Sequence, residues 1–317
     1  MNFPVFDLHC DTALNLLGRE FKGTGSLKKN EGHIDLERAA ALPGYAQCFA
    51  CFTTKMDHLP AGMSVVSVFE RELAVILREI ERNKDCLALA YSAAEVEENR
   101  KNGIMSAILT LEGAAGFDYD PALLEDLYQI GFRIASLAWN EVNPLAGTNV
   151  TGGGLTDQGR EFMKEAQRLG IAVDVSHISD EAFWDMIEMT QAPIIATHSN
   201  SRAVCAHSRN LTDDMFLAIC RTGGVAGLNQ YTEFVGADAT LDTACDHIFH
   251  FLELDPSGKH IALGGDLDGC DTLPAGFTGV QDYPALARRL QERGLSDEML
   301  MDIFWNNALG VMDRCCM

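Results

Sequence analysis

Residues 171–177 read IAVDVSH, and residues 192–199 read APIIATHS. Each is a short apolar, β-branched run that ends in a histidine, His177 and His198. The segment between them, SDEAFWDMIEMTQ, opens on the helix-start pair Ser179 and Asp180. It then spaces Ala182, Phe183, Met186 and Ile187 along one helical face. The pattern is strand–helix–strand. Parallel strands joined by a helix end on the same side of the sheet, so the two histidines are expected side by side. Two imidazoles at neighbouring strand ends suit a metal site or an acid/base site. Arg209 follows soon after, and a guanidinium can grip a carboxylate through two parallel hydrogen bonds.

The same alternation runs along the rest of the chain. Apolar strands are expected at 4–9, 45–52, 105–113, 132–139, 171–177, 192–199, 223–229 and 260–266. Helical spacing falls at 64–83, 93–101, 121–129, 156–169, 179–191, 212–220, 241–254, 283–293 and 297–307. Eight strands alternating with helices predict an α/β fold, a (β/α)8 TIM-like barrel of the metal-dependent hydrolase type, spanning residues 1–317 as one domain. An open doubly wound sheet is the alternative, but the GxGxxG turn it would carry after its first strand is missing. No repeat, low-complexity tract or Pro/Ser linker divides the chain. The Gly-rich 147–154, GTNVTGGG, lacks the Lys-Ser/Thr of a phosphate loop and reads as a flexible loop on the active-site side.

Charge narrows the partners. Lys and Arg total 24 against 46 Asp and Glu, a formal net charge of −22, which repels nucleic acid and anionic membranes. No apolar run reaches the ~18–20 residues that cross a bilayer. The opening MNFPVFDLHCD lacks the basic and apolar regions of a signal peptide. The ten cysteines are scattered, mostly in apolar segments, and the lone CxxC of Cys48 and Cys51 lies in a strand-like run. Reduced, mostly buried thiols are expected, and with them a cytoplasmic protein. The Cys315–Cys316 pair is a candidate for reactivity.

In a barrel, chemistry gathers at the C-terminal ends of the strands. The first ends Asp7-Leu8-His9-Cys10-Asp11, with 7, 9 and 11 on one face by the two-residue period. The third ends in Glu112-Gly113, the fifth and sixth in His177 and His198, and the eighth runs on through Asp266 and Asp268. His9 with Asp11, Glu112, the two histidines and Asp266 would suffice for two metal ions sharing one carboxylate. Plainer readings stand beside these: Asp7 as a structural residue, Glu112 as a helix N-cap partner, Asp268 as a turn residue. His33, His58 and His207 fall in polar loops, and His247 and His250 on a solvated helix face. His260 begins a strand, at the wrong end of a barrel for chemistry.

These residues also carry a resemblance. FDLHCD (6–11), LEGAAGFDYDPALLEDLYQIGFRIASL (111–137), DVSHIS (174–179), ATHSNSRAVCAHSRNLTDD (196–214) and GGDLDG (264–269) resemble, in that order, the membrane (renal) dipeptidase family of dizinc peptidases in its soluble microbial form. The resemblance implies that His9, Asp11 and Glu112 hold one Zn2+ and that Glu112, His177 and His198 hold the other, with Glu112 as the bridge. It implies that Arg209 grips the substrate's C-terminal carboxylate, that Asp266 handles protons and that Tyr231 contacts substrate. Trp139, in SLAWNEVNP, stands where vertebrate members carry a histidine that helps polarise the scissile carbonyl. The activity implied is hydrolysis of small dipeptides, with a D-residue tolerated at the C-terminal position, by a hydroxide shared between two zinc ions in a homodimer. Two other readings remain. Another barrel amidohydrolase, acting on a different small amide or lactone, would show His-x-His at the first strand and often a carboxylated lysine bridge, where this chain has His9-x-Asp11 and Glu112. A non-catalytic binding homologue is supported by Trp139 alone.

Overall fold

Eleven strands follow one another along the chain: β1 (Val5–Cys10), β2 (Tyr45–Phe52), β3 (Leu87–Leu89), β4 (Met105–Glu112), β5 (Phe132–Ser136), β6 (Ala146–Thr148), β7 (Gly152–Leu155), β8 (Ala172–Asp174), β9 (Ile194–Ile195), β10 (Ala226–Leu228) and β11 (Ile261–Leu263). The structure, a computed structural model, describes residues 3–20, 25–53 and 63–316. Eight of the strands pair in parallel in the order β10-β11-β1-β2-β4-β5-β8-β9. A parallel bridge between Ala196 and Ala226 joins the two ends of that order. The sheet therefore closes into the (β/α)8 barrel, and the open doubly wound alternative is excluded. β3 was not foreseen: it lies beside the lower part of β4, at Met105–Ala107, and β5 takes over from Leu109.

Side chains fill the barrel by alternation. Phe6, Leu8, Ala46, Cys48, Ile108, Ile134, Ala172, Ile195, Val225 and Ala262 form one buried cluster drawn from all eight barrel strands or their starts. Trp305, Ala308, Val311 and Met312, from the C-terminal helical segment, join that cluster and seal the end of the barrel away from the site. Each large side chain buried this way contributes roughly 1.5–3 kcal/mol. Together the plug is comparable to a typical domain's net stability of about 5–15 kcal/mol. Cys315 and Cys316 sit in the same cluster, and burial pushes their thiols up to about 11 and about 12, so the reactivity considered for this pair is not supported.

The expected alternation of 7, 9 and 11 fails at one point. Asp7 pairs with Gln47 but Cys10 with Phe49, so β1 carries one extra residue against β2. With Phe6 and Leu8 facing inward, strict alternation would turn His9 outward. The bulge re-aims it into the barrel mouth.

Two strands are also shorter than expected. β8 stops at Asp174 and β9 at Ile195, before His177 and His198. The buried Asp174 side chain accepts from the backbone N–H of Ser176 and Thr197, both at 2.9 Å, and so replaces the ladder at that level. The Gly-rich 147–154 is an ordered hairpin rather than a flexible loop. Gly153 O accepts from Ser179 Oγ, and Leu155 N–H donates to Asp185. A Cβ on Gly147 would collide with the Gly153 carbonyl, so this close approach requires glycine.

The helices follow their start signals closely. Val65–Arg82 begins at Ser64, which forms a reciprocal capping box with Ser67. Ala93–Lys101 and Leu241–Leu254 keep their expected bounds. A helix at Thr12–Glu20 was not expected. No helix among the described residues is long and apolar enough to cross a membrane.

Candidate metal centre

Five pieces of chain converge at the C-terminal mouth of the barrel, the loop after β11 joining the first of them. The first is the bulged end of β1, which carries His9 and Asp11. Asp7 anchors it: this buried carboxylate accepts from His9 N–H, Gly265 N–H and Tyr283 Oη. The structural reading of Asp7 thus holds. The loop after β11 zips onto the same strand end, with Asp266 N–H donating to His9 O at 3.2 Å and Asp11 N–H to Leu267 O at 3.0 Å. Asp266 and Asp268 take positive φ angles of 56° and 67°, uncommon for non-glycine residues and held here by that pairing. Asp268 is the turn residue expected of it, accepting from Thr12 Oγ1 and His33 N–H, both at 2.7 Å.

The second piece is the end of β4. Glu112 is buried and points inward, and it caps no helix. Gly113, at φ 79°, turns the chain where a side chain would strike the Thr53 carbonyl. The third and fourth pieces are the loops that carry His177 and His198. His177, at φ 73°, is held by the hairpin through Asn149 N–H donating to its carbonyl at 2.8 Å. The His198 segment crosses the barrel interior over Gly227 and Gly264, where any Cβ would meet the Thr197 carbonyl.

The nitrogen and oxygen atoms of these residues point at one another. His9 Nε2 lies 3.5 Å from Asp11 Oδ2, 3.4 Å from Glu112 Oε2 and 3.8 Å from Asp266 Oδ1. His177 Nε2 lies 2.9 Å from Glu112 Oε1, and His198 Nε2 lies 3.8 Å from it. The two Nε2 atoms stand 3.0 Å apart. Donor sets His9/Glu112/His198 and His9/Asp11/Asp266 each fall within 4.8 Å. His9 is thus common to both sets, and the His198 ring stacks on it with centroids 3.8 Å apart.

Neighbours fix the imidazole protons. Thr197 Oγ1 donates its one proton to Asp174 Oδ2 at 2.6 Å, so it accepts from His198 Nδ1–H at 2.7 Å. Asn140 Oδ1 accepts from His177 Nδ1–H at 2.9 Å. Both Nε2 atoms are therefore bare lone pairs, oriented as in metal-binding histidines whose other nitrogen is held by a second residue. His9 Nε2, Asp11 Oδ1 and Glu112 Oε2 are buried with no hydrogen-bond partner. Buried polar atoms without partners are costly, and these are donors that suit a divalent cation. The residues present therefore fit a metal.

The protonation balance points the same way. Burial and the Glu112 charge push the Asp11 carboxyl up to about 8. Burial also raises Asp266, and the Glu112 charge adds to it. Glu112 is pushed up by burial, but the His9 imidazolium, itself held well above the usual histidine range by Glu112 and Asp11, outweighs this and keeps it well below the usual range. Burial and the Arg209 charge bring His177 down to about 4, so it is neutral at pH 7.

A cavity of about 350 Å³ opens onto the site. Phe52 and Trp139, edge to face with ring centroids 5.0 Å apart, form one wall, and Tyr231 and Phe234, 4.9 Å apart, form another. Arg209 is buried behind Phe234, its guanidinium carbon 5.3 Å from that ring centroid. Its Nη1 donates to Ser199 Oγ at 3.4 Å, and its Nε and Nη2 have no hydrogen-bond partner. Asn229 Nδ2 donates to Asp266 Oδ2 at 2.9 Å.

Sequence reasoning missed Asn140, Asp174, Thr197 and Asn229. Only Asp174 carried a signal, as a lone acid inside the apolar run IAVDV. His247 is not on a solvated face: it is fully buried, accepts from Ser201 N–H and donates to the Val235 carbonyl. His250 pairs with Asp213 at 2.8 Å, and His58 lies outside the described residues.

The chain matches the family model described as "Membrane dipeptidase (Peptidase family M19)" over residues 1–315. An uncharacterized dipeptidase of Schizosaccharomyces pombe is 37% identical over 214 residues, 65% of this chain and 52% of that protein, so the chain spans about half of this relative's length. Dipeptidase verJ of Clonostachys rogersoniana is 32% identical over 249 residues, 77% of this chain and 64% of its own. The crystal structure of a metallo peptidase from Rhodobacter sphaeroides, liganded with a phosphinate mimic of the dipeptide L-Ala-D-Ala, superposes with a TM-score of 0.89 at 28% identity, covering 99% of this chain and 100% of that one. The chain therefore belongs to the membrane dipeptidase family, peptidase family M19, and is an enzyme, a metallo-dipeptidase.

Proposed function

We propose that this enzyme is a dizinc dipeptidase that cleaves dipeptides with a free C-terminal carboxylate, including L-Xaa–D-Xaa. The observation that carries this is the pair of bare imidazole nitrogens, His177 Nε2 and His198 Nε2, 3.0 Å apart beside Glu112 Oε1. In this reading His9, Asp11 and Glu112 would hold one zinc and Glu112, His177 and His198 the other, with Glu112 serving both. When bound there, zinc supplies a water acidified to near neutral pH and a Lewis acid for the scissile carbonyl.

The protein's own residues do the rest. Arg209 offers two unpartnered donor nitrogens, Nε and Nη2, to a carboxylate. The Arg209 charge reaches His177 and His198, so a carboxylate it held would lie close to the cluster and limit the substrate to two residues, and a 350 Å³ cavity is near the small end for a ligand pocket. Trp139 with Phe52 and Tyr231 with Phe234 hold the substrate side chains. Asp266, raised by burial and steadied by Asn229, takes a proton from the attacking water and returns it to the leaving amine. The relative solved with a mimic of L-Ala-D-Ala supports the D-residue tolerance. Ten free cysteines fit a reducing cytoplasm, and the family resemblance suggests a homodimer, with residues 1–317 as one domain.

The test is metal content and hydrolysis of an L-Xaa–D-Xaa panel on one preparation. Two zinc ions per chain with turnover support the reading. Turnover without metal, or with a single metal at full occupancy, overturns it.

A further inference from the structure

A second group of ligand-type side chains lies at the opposite end of the barrel, where the strands begin. Cys220 is in the last turn of the helix Asp213–Thr222, Asp255 follows the helix Leu241–Leu254, and His260 precedes β11. One donor atom from each lies within 4.8 Å of the others, and all three residues are half-buried. No hydrogen bond or ion pair within the usual limits joins them to one another among the described residues, so direct bonding does not explain why they converge.

Their surroundings hold them in place. His260 Nδ1 donates to the Gly224 carbonyl at 2.7 Å, which leaves Nε2 with its lone pair. Ser257 donates to both Asp255 oxygens, at 3.1 and 2.8 Å, and fixes that carboxylate. Burial pushes the Cys220 thiol up to about 12, so it has no thiolate chemistry of its own at neutral pH. A coordinated cation changes this, because metal binding deprotonates a thiol outright.

We propose that Cys220, Asp255 and His260 form a second, non-catalytic metal site that takes a borderline-soft divalent cation such as zinc. Donor atoms around a tetrahedral zinc lie about 3.5 Å apart, and these three already lie within 4.8 Å of one another, so only a small closure is needed for them to share an ion, with water as the fourth ligand. The site clamps two helix ends to the start of β11, across the face opposite the catalytic mouth. It does not depend on the zinc assignment made above.

Cobalt(II) added to the full-length enzyme tests this. The catalytic cluster offers only nitrogen and oxygen donors, so a thiolate-to-cobalt charge-transfer band reports on the new site alone. The band should saturate near one equivalent, vanish in Cys220→Ser and Cys220→Ala, and need at least about tenfold more cobalt in His260→Gln. Dipeptide hydrolysis should stay within about twofold of wild type in these variants, because the site is remote from the mouth. Absence of the band in the wild-type enzyme, or its survival in either cysteine variant, overturns the proposal.

Discussion

His177 and His198 present their Nε2 atoms to each other at 3.0 Å, and neither carries a proton there to share. Two lone pairs at that distance repel, and only a cation between or beside them makes the arrangement favourable. Chelation should therefore abolish hydrolysis and lower the melting temperature, and zinc should restore both. An unchanged melting temperature after complete metal removal would count against a metal at this pair.

Thr197 holds the His198 tautomer by accepting its Nδ1 proton while donating to Asp174. Thr197→Val keeps the shape and removes the hydroxyl. Metal affinity, measured by competition with a chromogenic chelator, should fall about 10–100-fold. Thr197→Ser should recover most of it.

Asp266→Asn keeps the bond to Asn229 within reach but cannot accept a proton. Metal content should stay at the wild-type level while kcat falls about 10²–10⁴-fold. Normal turnover in this variant would take Asp266 out of the mechanism.

Arg209→Met removes the buried guanidinium. Losing a buried charge partner of the substrate costs about 2–5 kcal/mol, so kcat/KM for dipeptides should drop at least about 30-fold. The preference for a free dipeptide over its C-terminal amide should disappear with it. A variant that still discriminates between the two would show that the carboxylate is read elsewhere.

Asp11 sets a pH dependence in the metal-free protein. Its carboxyl rises from 3.8 to about 8 on folding, so the folded state holds this proton more tightly than the unfolded chain. The contribution is fully present below pH 4 and is lost as pH rises through 8. Between pH 5 and 8 the metal-free wild-type protein should lose stability relative to Asp11→Asn, as measured by denaturant midpoints. By the same sign, metal binding at pH 7 should release a proton that binding above pH 9 does not.

The eight barrel strands were legible because buried parallel strands are near-continuous apolar runs. The hairpin was not, because Gly152, Gly153 and Gly154 carry no side chains to alternate. The convergence of His9, Asp11, Glu112, His177, His198 and Asp266 could be read from residue type at strand ends. Their supports could not. Asn140, Thr197 and Asn229 are neutral hydrogen-bonding residues, indistinguishable in sequence from any loop residue, and their value lies in which single atom they reach. The early ends of β8 and β9 were hidden for the same reason: they follow from Asp174 capturing two N–H groups, which is a tertiary event.

The extra residue in β1 makes the chemistry of this barrel a matter of parity. Deleting His9, one of the two residues between Asp7 and Cys10, would bring β1 back into step with β2 and leave Phe6, Leu8 and the neighbouring strands available for pairing, so the barrel could still assemble. The deletion would take the imidazole with it, and the mouth would lose its central donor. A single-codon deletion can thus separate the scaffold from its activity more cleanly than any substitution, and insertions and deletions at this strand are where silent relatives of the enzyme should be sought.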